Sequence, residues 1–261
     1  MTKHMNRSLM LAALAAAAVC TGCEKNTVQV LPLDSLQASR IKFFNFGVNA
    51  PGVNFYANNT KMTAILSATG SEATTGVTYG NVGNGGAYSS IAPGSYTVTG
   101  RIAATVDKDL PIASINGTIA AGKFYSVYLS GFYNTTAKTI DGFVLDDTYP
   151  NQIDWSVALV RFVHVIANGN PLTLYAANTF TYDTVVVAPA VAYKNASAFI
   201  ALPPGIYDFF ARYPDSTTNK ITRTAVTLTN GRVYTIGARG DITVTSTTAT
   251  NRPLLDATAN Q

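Results

Sequence analysis

The side chains able to do chemistry are few in this chain, and their placement narrows what they could do. Of two histidines, His4 falls in a leader segment, so His164 stands alone and cannot build a multi-histidine metal site. It lies in an apolar strand pattern with Phe162 and Ile166 on its own face, and Asn45 holds the equivalent place in an earlier stretch. A position filled by Asn or His reads most simply as a hydrogen-bonding side chain near a strand or turn. A Ser-His-Asp triad needs an imidazole aimed at an activated serine, and no serine stands in a nucleophile-elbow context. Gly80 to Gly86 lacks the following Lys-Ser/Thr and helix of a phosphate loop, so it reads as a flexible, variable loop tip.

Carboxylates are the remaining candidates. Asp107, Asp109, Asp146 and Asp147, with Asp154, could offer oxygen ligands to calcium, which takes roughly six to eight. None has calcium-loop spacing, so solvated turn aspartates are the simpler reading and no metal site is assigned. Glycosidase chemistry needs two facing carboxyls, and with Glu only at 24 and 72 the pair would be mostly Asp. An Asp-dependent hydrolase is therefore a distant alternative, with no catalytic residue and no cofactor expected. Ligand contact is a sharper reading for Tyr56, Tyr175, Trp155 and Asn84, since exposed rings flanked by Asn or Asp can form a platform for a sugar.

The chain that positions those residues begins after an N-terminus with the layout of an export signal. Lys3 and Arg7 precede an apolar run, Leu9 to Val19, too short to cross a bilayer as a helix. Cys20-Thr21-Gly22-Cys23 then resembles a bacterial lipobox, with Gly22 last before cleavage and Cys23 the lipidated residue, although Cys20 stands where Leu is usual. A plain secretory peptide with incidental cysteines is the competing reading. The chain has no other cysteine, so after cleavage no disulfide is available and the core must hold the fold.

Lysine and arginine total 18 against 14 acidic residues, a net charge of +4 that falls to +2 without Lys3 and Arg7. With no basic cluster, nucleic acid is not an expected partner. Charged residues make up 12% of the chain while 14 Tyr and 12 Phe accompany abundant Val, Thr and Gly, a composition suited to pleated sheets rather than long exposed helices.

One signature occurs twice. Lys42-Phe43-Phe44-Asn45-Phe46 through Phe55-Tyr56-Ala57 aligns without a gap to Arg161-Phe162-Val163-His164-Val165 through Leu174-Tyr175-Ala176. Pro93-Gly94 is echoed by Pro204-Gly205, and Gly122-Lys123-Phe124-Tyr125 by Gly231-Arg232-Val233-Tyr234. Turn dipeptides between short alternating runs give seven or so strands per copy, the pattern of an all-β sandwich. Tyr96 with Tyr207 and Tyr125 with Tyr234 recur at matching places, which predicts edge packing with locally bonded hydroxyls. The expected organisation is signal peptide 1–22, tether 23–39, first domain 40–145, linker 146–156, second domain 157–246 with a last strand at Ile242 to Thr245, and a polar tail 247–261.

These repeated motifs resemble the bacterial domain-of-unknown-function family numbered 4397, found in secreted and lipid-anchored proteins of the Bacteroidetes. The resemblance covers about residues 40–240, and its first copy departs with Asn45 where members often have His. It implies two tandem immunoglobulin-like β-sandwich domains displayed outside the cytoplasm, and it assigns no chemistry or ligand. The expectation is a non-catalytic cell-envelope protein, bound to the membrane through its N-terminal lipid, in the outer membrane on its periplasmic or outer face. Its domains would serve surface interaction, adhesion or scaffolding, with a carbohydrate- or peptidoglycan-binding module as the alternative and an envelope glycan or surface protein as partner.

Overall fold

The computed structural model describes residues 38–66, 70–150, 152 and 154–260. The expected signal peptide, Cys23 and tether residues 24–37 lie outside the described residues. The fold is all-β, two immunoglobulin-like sandwiches in tandem. The first uses β1 (Ser39–Asn45), β2 (Val53–Ala57), β3 (Thr60–Lys61), β4 (Asn81–Val82), β5 (Ser89–Ile91), β6 (Gly94–Ile102), β7 (Pro111–Ile119), β8 (Phe124–Asn134) and β9 (Thr139–Asp146). The second uses β10 (Ala158–His164), β11 (Leu172–Asn178), β12 (Thr184–Val191), β13 (Ile200–Leu202), β14 (Gly205–Arg212), β15 (Ile221–Leu228), β16 (Val233–Arg239) and β17 (Leu254–Ala259).

Each sandwich pairs an outer sheet, β3-β2-β6-β7 or β12-β11-β14-β15, with an inner one. The inner sheets are β1-β8-β9, with β4 and β5 on the free side of β1, and β13-β10-β16-β17. In both, the opening strand lies parallel to the penultimate one, β1 on β8 and β10 on β16.

Strand periodicity explains where the cores form. Alternate residues of β1 and β8, such as Ile41, Phe43, Val127 and Leu129, face the first outer sheet, and Phe43 stacks on Phe55 of β2 at 5.0 Å. The intervening Phe44 and Tyr128 face the other way and, with Phe46 and Phe143, meet Val163 and Val165 of the second sandwich. β10 divides likewise: Val160 and Phe162 fill its own sandwich, while Val163 turns to the first. The two inner sheets are thus packed back to back, which is why β1 and β10 read as near-continuous apolar runs instead of clean alternation.

The repeated turn signals have matched roles. Gly122 and Gly231 adopt φ of 68° and 67°, which a side chain would strain. Tyr96 and Tyr207 donate to the carbonyls of Ala92 and Pro203, both at 3.0 Å. Tyr125 and Tyr234 accept from the backbone N–H of Ala120 and Thr229, again at 3.0 Å.

Four expectations are corrected. Residues 254–259, placed in a polar tail, form β17, which pairs along all of β16 and buries Leu255. Ile242 to Thr245 is instead turn and irregular chain, because the Asp241 carboxylate accepts both the N–H and the hydroxyl of Thr243, at 3.0 and 2.6 Å. The glycine-rich segment is built into the sheet: β4 pairs with β1, Gly83–Gly86 makes a 3-10 turn, and Gly80 lies against the Arg239 guanidinium. Finally, Asp147 in the expected solvated linker is buried, because Arg161 lies beside it.

Candidate functional site

The most concentrated polar chemistry among the described residues is buried between the inner sheets. Lys42 of β1 and Arg161 of β10 occupy equivalent positions and both point out of their own sandwich toward the other. Lys42 donates to Oδ1 of Asn260 at 3.2 Å and to the Ala259 carbonyl at 3.4 Å, and its ammonium lies 4.3 Å from the Tyr88 ring centre. Arg161 pairs through Nη2 with Asp147 and donates through Nε to Thr235 at 3.0 Å. Asn260 follows β17 as Asp147 follows β9, so the partners are equivalent too.

Each partner is anchored to its own sandwich. Ser126 donates to Asp147 at 2.7 Å, and Asn260 donates to Thr235 at 2.7 Å. The result is a pseudo-two-fold junction of Lys42, Ser126 and Asp147 interlocked with Arg161, Thr235 and Asn260. Tyr88 adds a 2.6 Å hydrogen bond to Asp147 and another to the Tyr149 hydroxyl. Tyr149 in turn stacks on Phe199, whose face also carries the Arg161 guanidinium.

Burial and charge pull on these groups in opposite directions. Burial would lower the pKa of Arg161, but the Asp147 carboxylate more than offsets it and holds it above its ordinary value. Burial wins at Lys42 and pushes it down to about 8, with Asp147 opposing and Arg161 assisting. Desolvation and the nearby Asp147 drive the Tyr88 hydroxyl up. A cleft of about 380 Å³ opens beside the junction, lined by Asp146, Arg161, Asn195, Ser197 and Phe199. Arg161 meets it with its charge already matched by Asp147.

A family model for a domain of unknown function, DUF4397, matches residues 39–175 and again 158–261. The chain belongs to the DUF4397 family. No curated protein matches it in sequence. Among solved structures it is similar to the Bacillus anthracis TIE protein, at 13% identity and a TM-score of 0.24, over 78% of this chain and 34% of that one. The chain therefore spans about a third of that protein's length. It is also similar to a protein from Bacteroides ovatus described as a candidate cell adhesion protein, at 12% identity and a TM-score of 0.24, covering 87% and 96% of the two chains.

The two DUF4397 copies do not bring the sequence-derived contact residues together. Tyr56 and Tyr175 lie on different outer sheets, and their ring faces are already engaged. The Arg101 guanidinium sits 4.2 Å from the Tyr56 centre, and the Tyr56 hydroxyl donates to Asp109 at 3.2 Å. Tyr175 stacks on Phe210 at 5.3 Å, with Arg212 over both rings. Arg101 and Arg212 hold equivalent places, so this Arg–Tyr pairing recurs in both copies. Asn84 serves a turn, donating to the Met62 carbonyl at 2.9 Å and to Ser89 at 2.7 Å. Trp155 alone keeps an open ring face. It is 72% exposed and covers the backbone of Gly231, where a Cβ would lie 2.6 Å from its Cε3.

The carboxylate candidates for calcium are also dispersed in role. Asp107 pairs with Lys138 at 2.6 Å, Asp109 accepts from Tyr56, Asp146 ends β9 in solvent, and Asp147 is held by Arg161. His164 departs from its expected role: it is fully buried, and among the described residues neither ring nitrogen has a hydrogen-bond partner. Burial lowers its pKa to about 4, leaving a neutral ring between Phe162 and Tyr193. Asn45 does bond, donating to the carbonyls of Pro51 and Val77 at 3.1 and 2.9 Å. Sequence reasoning missed the junction itself. Its signal was a cation amid an apolar strand at the same place in both copies.

Proposed function

We propose that the chain is a non-catalytic, lipid-anchored protein of the cell envelope that presents its two DUF4397 sandwiches as one rigid body for surface interaction or scaffolding. The observation that carries this reading is the interlocked junction of Lys42, Ser126 and Asp147 with Arg161, Thr235 and Asn260. A binder that worked by closing two domains on a ligand would need a hinge there, and a buried, hydrogen-bonded ion pair disfavours one. The export-like leader and the Cys23 lipobox supply the envelope and outer-membrane part of the proposal.

The test is acylation and fractionation in the native host. The wild-type chain is expected in the membrane fraction with an acylated Cys23, and Cys23→Ser is expected to release it. An unmodified Cys23 on a membrane-bound chain would contradict the anchor. Binding to an array of glycans and envelope polymers, with and without calcium, separates scaffolding from recognition. Carbohydrate or peptidoglycan binding is the second reading, favoured by the open face of Trp155, and it requires Trp155→Ala to abolish any signal on that array.

A further inference from the structure

Three of the four exposed aromatic side chains among the described residues gather at the end through which the N-terminal segment joins. β1 and β10 run side by side in the same sense. Near their starts, Lys42 and Arg161 reach Asn260 and Asp147. Beyond the end of β1, Phe46 instead lies over Gly237 and near Arg239, toward the end of β16. The starts of β1, β8, β10 and β16 therefore share one end. The Pro203-Pro204 turn is there because Ala158 pairs with Leu202, and the β11–β12 turn because Asn178 pairs with Tyr207. Residue 38 enters at this same end, just ahead of β1.

Four aromatic side chains are exposed among the described residues. Trp155, Phe180 (89%) and Tyr182 (83%) are at this end, and only Phe132 lies elsewhere, far along β8. Ile206, Pro203 and Pro204 add exposed apolar surface between them. The turns that carry these rings are set by hydrogen bonds. Asp154 accepts from the N–H and hydroxyl of Ser156 at 2.9 and 2.6 Å, setting the turn that lays Trp155 on Gly231. Asn178 accepts from the N–H groups of Phe180 and Thr181 at 2.8 and 3.1 Å, and the Thr179 N–H donates to the Ile206 carbonyl at 2.9 Å. Arg40, Lys123 and Arg232 at this end are balanced in number by Asp146, Asp154 and Asp183, so it carries no excess charge and its contact chemistry is apolar rather than electrostatic.

We propose that this end seats on the lipid bilayer, with Trp155, Phe180, Tyr182 and Ile206 entering the interfacial layer. The proposal rests on the lipid-anchored reading above. Trp and Tyr favour the headgroup level, where an apolar ring body and a polar edge are both satisfied. The segment between Cys23 and residue 38 reaches about 50 Å at most when fully extended. It thus holds this end close to the membrane, and at such an effective concentration a small apolar contact suffices. The sandwiches would then stand on the bilayer, with the far ends of β1 and β10 outward.

Trp155 is the only tryptophan of the chain, so its fluorescence reports on this end without a label. The lipidated full-length protein, reconstituted in phosphatidylethanolamine and phosphatidylglycerol vesicles, is expected to show blue-shifted emission, protection from acrylamide and quenching by headgroup-proximal brominated lipid. Unlipidated Cys23→Ser protein is expected to bind the same vesicles weakly. Adding Phe180→Ser and Tyr182→Ser should reduce that partitioning roughly tenfold. Trp155 emission and acrylamide access unchanged by vesicles, in protein whose mass shows the acyl chain, would overturn the proposal while leaving the anchor intact. A chain without the acyl group would defeat the anchor, and vesicle binding by the Cys23→Ser protein would still decide the seating. Protection of Trp155 by a soluble glycan but not by lipid would assign the face to carbohydrate and overturn the proposal.

Discussion

His164 and Lys42 are buried ionisable groups whose neutral forms suit the fold, so each should mark the pH dependence of stability. Burial depresses His164 to about 4. Between that value and the unfolded value near 6.5 the unfolded chain binds the extra proton, so stability falls as pH drops through this window. A loss of up to about 3 kcal/mol is expected between pH 7 and pH 4, read as a lower urea midpoint. His164→Leu should remove that slope at little cost at pH 7, because neither ring nitrogen makes a hydrogen bond. Lys42 behaves similarly at higher pH. Its folded value of about 8 lies below the unfolded one, so stability should rise by roughly 2 kcal/mol between pH 8 and pH 10 and stay flat in Lys42→Met. Arg161 is different, because the Asp147 carboxylate holds its pKa above the ordinary value and it stays charged throughout. Asp147→Ala leaves a buried guanidinium unpaired and should cost about 3–5 kcal/mol in denaturant unfolding, with much of the loss recovered in Asp147→Leu/Arg161→Met.

At the scale of elements, legibility tracked local chemistry. Pro93-Gly94 and Pro204-Gly205 announced their reversals because proline fixes φ and glycine adapts to a sharp turn. Tyr125 and Tyr234 could be read as structural because their neighbours recur with them. The stretch Ile242 to Thr245 has strand-like composition, yet Asp241 captures Thr243 and turns the chain, a side-chain competition that propensity does not weigh. β17 was hidden for the opposite reason: Asp256-Ala257-Thr258-Ala259 is a poor strand former held in place by β16 and by the Asp256–Arg239 ion pair. The junction was half visible. Lys42 and Arg161 align in the repeat, but Asp147 and Asn260 fall where composition marks linker and tail. As the Trp155 ring lies on Gly231, Gly231→Ala should displace it and strain the turn at φ 67°, whereas Gly122→Ala should strain only the turn. A red shift or higher acrylamide quenching of Trp155 in Gly231→Ala, absent in Gly122→Ala, is the expected readout.

At the scale of the whole molecule, three apolar clusters are stacked in series, and the middle one belongs to both sandwiches. Phe44, Phe46, Tyr128 and Phe143 lose their cover if the copies part, so neither copy should melt alone. One calorimetric transition with a van't Hoff ratio near unity is expected, and two resolved transitions would contradict it. The junction also has a symmetry built into its form. A surface that meets its own equivalent across a two-fold axis is an isologous interface, the kind by which identical subunits pair as homodimers. Here both halves lie in one polypeptide, with Arg–Asp on one side and Lys–Asn on the other. A single sandwich carrying both the arginine and the aspartate would possess both halves of that contact, and should find its partner in another molecule of itself.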